Sequence, residues 1–192
     1  MKDSIIKNVY LLFLLIPVAV NVYSQQLEFM GYPIHSTITE FSKELTSHRF
    51  RDKYTNGNLA HQYWEGGDFW KRKNCTVSLF TARDEIHVDL IEVTIPHVKT
   101  IEDYNNSIEE LITDLSNKYG QYTVDTVEEL EIFFYPSNFG CHLLTWSLAN
   151  GELKVEVCPN CICDIKMRYE SIERINWLKE AARFKGKGSS DL

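Results

Sequence analysis

The 192-residue sequence contains no nucleophile elbow, no Gly-rich phosphate loop and no His-x-x-x-His pair. The commonest local signatures of acyl transfer, phosphoryl transfer and zinc hydrolysis are therefore missing. Positive charge is also scarce. Twenty Lys and Arg face 27 Asp and Glu, for a formal charge of −7 at pH 7. Such a surface repels phosphate backbones, so no nucleic-acid partner is expected. Low-complexity tracts are absent before Gly186-Lys187-Gly188-Ser189-Ser190, which reads as a disordered tail. Long apolar runs are lacking too, with one exception near the start.

That exception runs from Val9 to Val20, too short for a hydrocarbon core of about 30 Å. Lys2 and Lys7 precede it, and Asn21-Val22-Tyr23-Ser24 follows, with Val22 and Ser24 placed for cleavage before Gln25. This is the pattern of a signal peptide over residues 1–24. A periplasmic or secreted location is expected, with no membrane span after signal removal. Losing Lys2, Asp3 and Lys7 takes the formal charge from −7 to −8. Export also places Cys75, Cys141, Cys158, Cys161 and Cys163 where disulfides persist. Five is odd, so at least one thiol stays outside an intramolecular pair.

The remaining chain reads as one unit repeated: a helix, then antiparallel strands. Thr37-Ile38-Thr39-Glu40 is a capping box, and Ile38, Phe41 and Leu45 mark one helical face. A second helix starts after Thr100. Its stripe is Ile101, Tyr104, Ile108, Leu111, Ile112, Leu115 and Tyr119, and Gly120 stops it. Strands are expected at 59–70, 75–82 and 86–95, then at 128–135, 140–149, 152–158 and 161–169. Lys71 to Asn74 and Arg83 to Glu85 are the turns of the first set. Asn150-Gly151 predicts a type I′ hairpin pairing Leu148 with Leu153, Trp146 with Val155 and Leu144 with Val157. A three-residue loop, Cys158-Pro159-Asn160, then pairs Val157 with Cys161 and Val155 with Cys163. A short helix is expected from Ser171 through Trp177 and Leu178.

The expected fold is α+β: two tandem helix-plus-antiparallel-strands units forming a sheet with helices on one face. The divisions are 1–24 signal, 25–98 first unit, 99–170 second unit, and 171–192 short helix and tail.

Leu27-Glu28-Phe29-Met30-Gly31-Tyr32-Pro33-Ile34, Ser36-Thr37 and Phe41 resemble the opening of a group of uncharacterised secreted proteins of Bacteroides-type bacteria. The resemblance continues at Tyr63-Trp64-Glu65-Gly66-Gly67-Asp68-Phe69, at Lys118-Tyr119-Gly120 and at Ser190-Asp191-Leu192. His48-Arg49 stands where the group tends to Lys-Gly, and the Cys-rich hairpin is individual to this chain. The repeated plan also resembles the beta-lactamase-inhibitor-protein-like fold, found in exported inhibitors and envelope-assembly proteins. Both resemblances imply architecture and are silent on chemistry.

Several constellations bear on chemistry. Cys158-Pro159-Asn160-Cys161 has thiol-redox spacing, but Ile162 to Tyr169 alternates like a strand where such motifs open a helix. Cys158, Cys161 and Cys163, with His142 or Cys141, would make four zinc ligands. The structural alternative is a disulfide, Cys141–Cys158 or Cys158–Cys161, with Cys75 a buried core residue. Glu85, His87 and Asp89 lie at spacing two, as a metal-binding or proton-moving triplet or as a solvated strand face. Tyr63, Trp64, Phe69 and Trp70 surround Gly66-Gly67. They form either a surface that stacks on a partner, or core rings beside a bulge. Asp125-Thr126-Val127 and Asn74-Cys75-Thr76 match short glycosylation patterns.

Taken together, these features predict a non-enzymatic exported protein without a cofactor or metal. Its binding surface would be an open sheet face carrying Tyr63, Trp64, Phe69 and Trp70, and its partner a protein or a glycan. The alternatives are a thiol-redox or zinc-binding protein using the Cys158–Cys163 hairpin, and a structural envelope-assembly component.

Overall fold

Both expected helix starts form as their residues require. Thr37 caps α1 (Ile38–Ser47). Its hydroxyl accepts the Glu40 amide at 3.3 Å, and the Glu40 carboxylate accepts the Thr37 amide at 2.8 Å. Thr100 caps α2 (Ile101–Tyr119) by accepting the Asp103 amide at 3.0 Å. Gly120 ends that helix at φ 83°, donating its N–H to the Ser116 carbonyl. Ile101, expected on the apolar stripe, is 42 % exposed because it precedes the turn that reaches the core. Ser107 takes a buried place on the stripe instead.

The computed structural model describes residues 25–53, 60–97, 99–126, 141–158 and 163–187. Strands β1 (Glu28–Phe29) and β2 (Tyr32–Pro33) form a small hairpin. The other eight make one sheet: β3 (Arg51–Asp52), β4 (His61–Phe69), β5 (Arg72–Thr81), β6 (Val88–Ile95), β7 (Thr123–Thr126), β8 (His142–Leu148), β9 (Gly151–Val157) and β10 (Ile165–Ser171). Their spatial order is β3-β4-β5-β6-β10-β9-β8-β7, with every neighbouring pair antiparallel. Helix α3 (Ile172–Lys187) follows β10 without a loop and spans 16 residues, longer than the short helix expected.

Alternation divides the sheet into two faces. Trp64, Val77, Leu79, Ile91, Val93, Trp146, Leu153, Val155, Met167 and Tyr169 point one way. There they join Phe41 and Leu45 of α1, and Tyr104, Leu111 and Leu115 of α2, in one buried cluster. The chain is thus α+β, a mostly antiparallel sheet with α1 and α2 on its apolar face. The opposite face is laced by charge. Arg168 donates to Glu92 at 2.6 and 3.1 Å, and Lys154 lies 2.6 Å from Glu170 and 3.0 Å from Glu152. Arg174, on the first turn of α3, reaches Glu170 at 3.5 Å, so the start of α3 leans on this face.

Three expected turns are corrected. The hairpin between β8 and β9 turns at Ala149-Asn150, pairing Leu148 with Gly151, Trp146 with Leu153 and Leu144 with Val155. Neither Asn150 nor Gly151 has positive φ, so the turn is not type I′. Gly151 meets a different demand: a Cβ there would lie 2.1 Å from the Glu170 carbonyl oxygen. The connection from β9 to β10 is longer than three residues. Val155 pairs with Met167 rather than Cys163, and the even shift keeps every side chain on its expected face. The turn between β4 and β5 is Trp70-Lys71, with φ 42° and 61°, in place of Lys71 to Asn74.

The strand expected at 128–135 lies outside the described residues, while β7 at Thr123–Thr126 was not expected. The apolar run from Val9 to Val20 also lies outside them. Among the described residues, no helix is long and apolar enough to cross a membrane.

Candidate functional site

The four rings expected on one surface are dispersed. Trp64 is in the core, 7 % exposed, with its indole N–H donating to Gln62 Oε1 at 3.2 Å. The bulge at Gly66-Gly67 is present and resets the strand after it. Phe69 then turns inward to stack on Phe29, with ring centroids 5.5 Å apart. Trp70, half-buried at the hairpin tip, donates its indole N–H to Asp114 of α2 at 3.0 Å. Tyr63 remains, half-buried, on the charged face, since it alternates with Trp64. Gly67 is needed for packing, because a Cβ there would lie 2.1 Å from the Phe50 ring.

Two of the three disulfide candidates meet. Cys141 and Cys158 are bonded, with Cα atoms 4.2 Å apart, across the open end of the β8–β9 hairpin. Cys161 lies outside the described residues. Cys158 follows β9, and the next described element is β10, a strand where a redox motif would open a helix. Glu156 completes a Cys141–Glu156–Cys158 cluster, but both sulfurs are committed to the disulfide and cannot ligate a metal as thiolates. Cys75 is fully buried, and burial pushes its thiol up to about 11.

A denser polar cluster lies at the β5–β6 end of the sheet. The segment from His35 to Ile38 runs beside Ile86 to Val88 through three backbone hydrogen bonds: His35 N–H to Val88, Val88 N–H to Ser36, and Ile38 N–H to Ile86. This brings His35, itself at φ 75°, against two members of the sequence triplet. Its ring stacks on His87 with centroids 4.8 Å apart, and its Nδ1 lies 2.7 Å from Asp89 Oδ1. Ser171 Oγ donates to the same Asp89 oxygen at 2.9 Å and accepts the Arg174 amide at 3.1 Å, capping α3. Glu173, in the first turn of α3, brings its carboxylate to the group. One ligand atom each of His35, Asp89 and Glu173 lie within 4.8 Å of one another.

Glu85 does not join this cluster. The strand starts only at Val88, and Glu85 sits in the preceding turn at φ 57°. That turn is organised by Asp84, whose carboxylate hydrogen-bonds the His87 ring at 2.5 Å and accepts the His87 and Ile86 amides at 3.0 and 2.9 Å. These bonds, the His87 ring first, hold its carboxyl well below the usual range. His87 and Asp89 were visible as a spacing of two. His35 was not, because it falls in an irregular segment. Glu173 is a first-turn helix residue that looks solvated in one dimension.

Beside the cluster is an apolar patch that the sequence pattern also hid. Trp177 is one helical turn after Glu173 and shares its side of α3. It is 44 % exposed, and the Arg83 guanidinium sits 5.1 Å from its ring centroid. Ile86, in the same turn as Arg83, is 54 % exposed, and Leu178 is 40 % exposed. Elsewhere a polar cleft of about 420 Å³ lies between Arg72 and α2, lined also by Lys99, Asp103, Asn106, Ser107 and Glu110.

Fold and surface together define an α+β protein built on a largely antiparallel sheet, with a cluster of imidazole and carboxylate groups at one sheet end. The chain matches no protein-family model, no curated protein and no solved structure.

Proposed function

We propose that the chain is an exported binding module, not an enzyme, that docks a protein partner through Trp177, Ile86, Leu178 and Arg83. The observation that carries this is Trp177, a large ring nearly half exposed beneath a cation. Tryptophan and arginine dominate the energetics of protein interfaces, because a broad ring desolvates well and a guanidinium both stacks and donates. The surface differs from the one the aromatic run suggested. The open sheet face carries paired charges in its middle, and Ile86, Trp177 and Leu178 are exposed at its end instead.

The same proposal takes the architecture as two tandem units. Helix α1 with β3–β6 and α2 with β7–β10 are two runs of the same plan, and their last strands, β6 and β10, meet at the middle of the sheet. This arrangement is the support for kinship in fold with exported inhibitors and envelope-assembly proteins.

Site-specific photocrosslinking in the native host tests the docking surface. A photoreactive side chain at position 177 or 86 is expected to yield one adduct of defined mass. The same probe at Lys179, on the other side of α3, is expected to yield none. Absence of an adduct at both positions, or the same adduct from position 179, overturns the proposal.

A further inference from the structure

We infer that His35, Asp89 and Glu173 form a binding site for a divalent ion of the zinc class. The three residues come from segments far apart in the chain, and their candidate ligand atoms lie within 4.8 Å of one another. Zinc accepts imidazole nitrogen and carboxylate oxygen at about 2.0–2.2 Å, and three protein ligands with an open fourth position is a common set for it. One imidazole with two carboxylates suits zinc better than calcium, which prefers an all-oxygen shell. Glu173 is the adjustable member, being exposed and at a helix start.

The other two ligands are already oriented. His35 is held from the backbone by the strand-like pairing with Val88 and from the side by the stacked His87 ring. Asp89 is only 15 % exposed at its side chain, and Ser171 Oγ fixes its Oδ1. A hydroxyl on a ligating carboxylate is the kind of outer support that metal sites use to hold a ligand in place. The hydrogen bond between His35 and Asp89 marks where the ion would enter, replacing the shared proton. The rival cluster at Cys141 and Cys158 offers no thiolate while the disulfide stands. The proposal does not depend on the docking surface, although the open coordination position would lie near it.

Isothermal titration of the metal-stripped, oxidised full chain with zinc, with Co²⁺ absorption as a second readout, provides the test. One ion per chain is expected. His35→Gln and Glu173→Gln should each weaken binding about tenfold or more, and Cys163→Ser should leave it unchanged. Cobalt bands should appear with the unaltered chain and fade with both ligand variants. If His35→Gln loses its native circular dichroism, Glu173→Gln decides, since that side chain is exposed. No uptake at micromolar zinc, or unchanged affinity in a folded ligand variant, overturns the inference.

Discussion

At Gly151 the backbones of β9 and β10 are so close that a single methyl group has no room. Gly151→Ala must push its Cβ against the Glu170 carbonyl, 2.1 Å away before relaxation. A loss of about 2 kcal/mol is expected from such overpacking, read as a lower urea midpoint at unchanged slope. Cys75 makes a second residue-level prediction. Its folded pKa, about 11, exceeds the unfolded value of about 8.5. The thiol therefore contributes stability that is complete below the unfolded value and is lost as pH rises toward the folded one. Alkylation of native protein at pH 8, followed by peptide mass, should label Cys163 well before Cys75. Equal labelling would show that the burial of Cys75 is not maintained. Burial of Cys75 was legible from its phase with Val77 and Leu79. The left-handed turn at Trp70-Lys71 was not, because neither residue favours positive φ. It is held by partners about forty residues on: Trp70 bonds Asp114, and Lys71 bonds Glu110 at 2.7 Å.

Hairpins succeed or fail as elements. The Cys141–Cys158 bond closes the β8–β9 hairpin opposite its turn, over a separation of 17 residues. Replacing both cysteines by serine should cost about 3 kcal/mol, chiefly by freeing the unfolded chain, and should show as a lower Tm. The β5–β6 turn responds to acid. Asp84 has a folded pKa below its unfolded value of about 3.9, so its contribution is present above that pH and lost as pH falls through the folded value. Protection of the Ile86 and His87 amides, taken relative to their intrinsic exchange rates, should therefore fall in acid, and Asp84→Asn should show the lower protection already at neutral pH. Helix α2 was legible because its 19 residues repeat the 3.6 period many times. Strand β7 was not, since four residues at a sheet edge carry almost no period. The hairpin registers were wrong by even steps, which alternation cannot detect, because facing is preserved when a strand slides by two.

Across the whole molecule, one core spans both halves of the sheet. Trp64 of β4 and Trp146 of β8 lie in the same buried cluster, linked through β6 and β10. Single-tryptophan variants reporting each position should unfold with coincident midpoints, and separate midpoints would mean that the halves are independent folding units. Of the three candidate metal ligands only Asp89 was legible in the sequence. Asp89 stands at a strand-like spacing of two from His87, whereas His35 and Glu173 arrive only when their segments fold back on the sheet. The same folding back appears at Leu27. Its N–H donates to Asn150 Oδ1 at 2.6 Å, and its carbonyl accepts Asn150 Nδ2 at 3.1 Å, so one side-chain amide does the work of a strand partner. During synthesis Leu27 emerges long before Asn150. The latch at Leu27 must therefore wait for a residue 123 positions later, and a chain stalled before that point holds its first hairpin only through the contacts to β4 and β6.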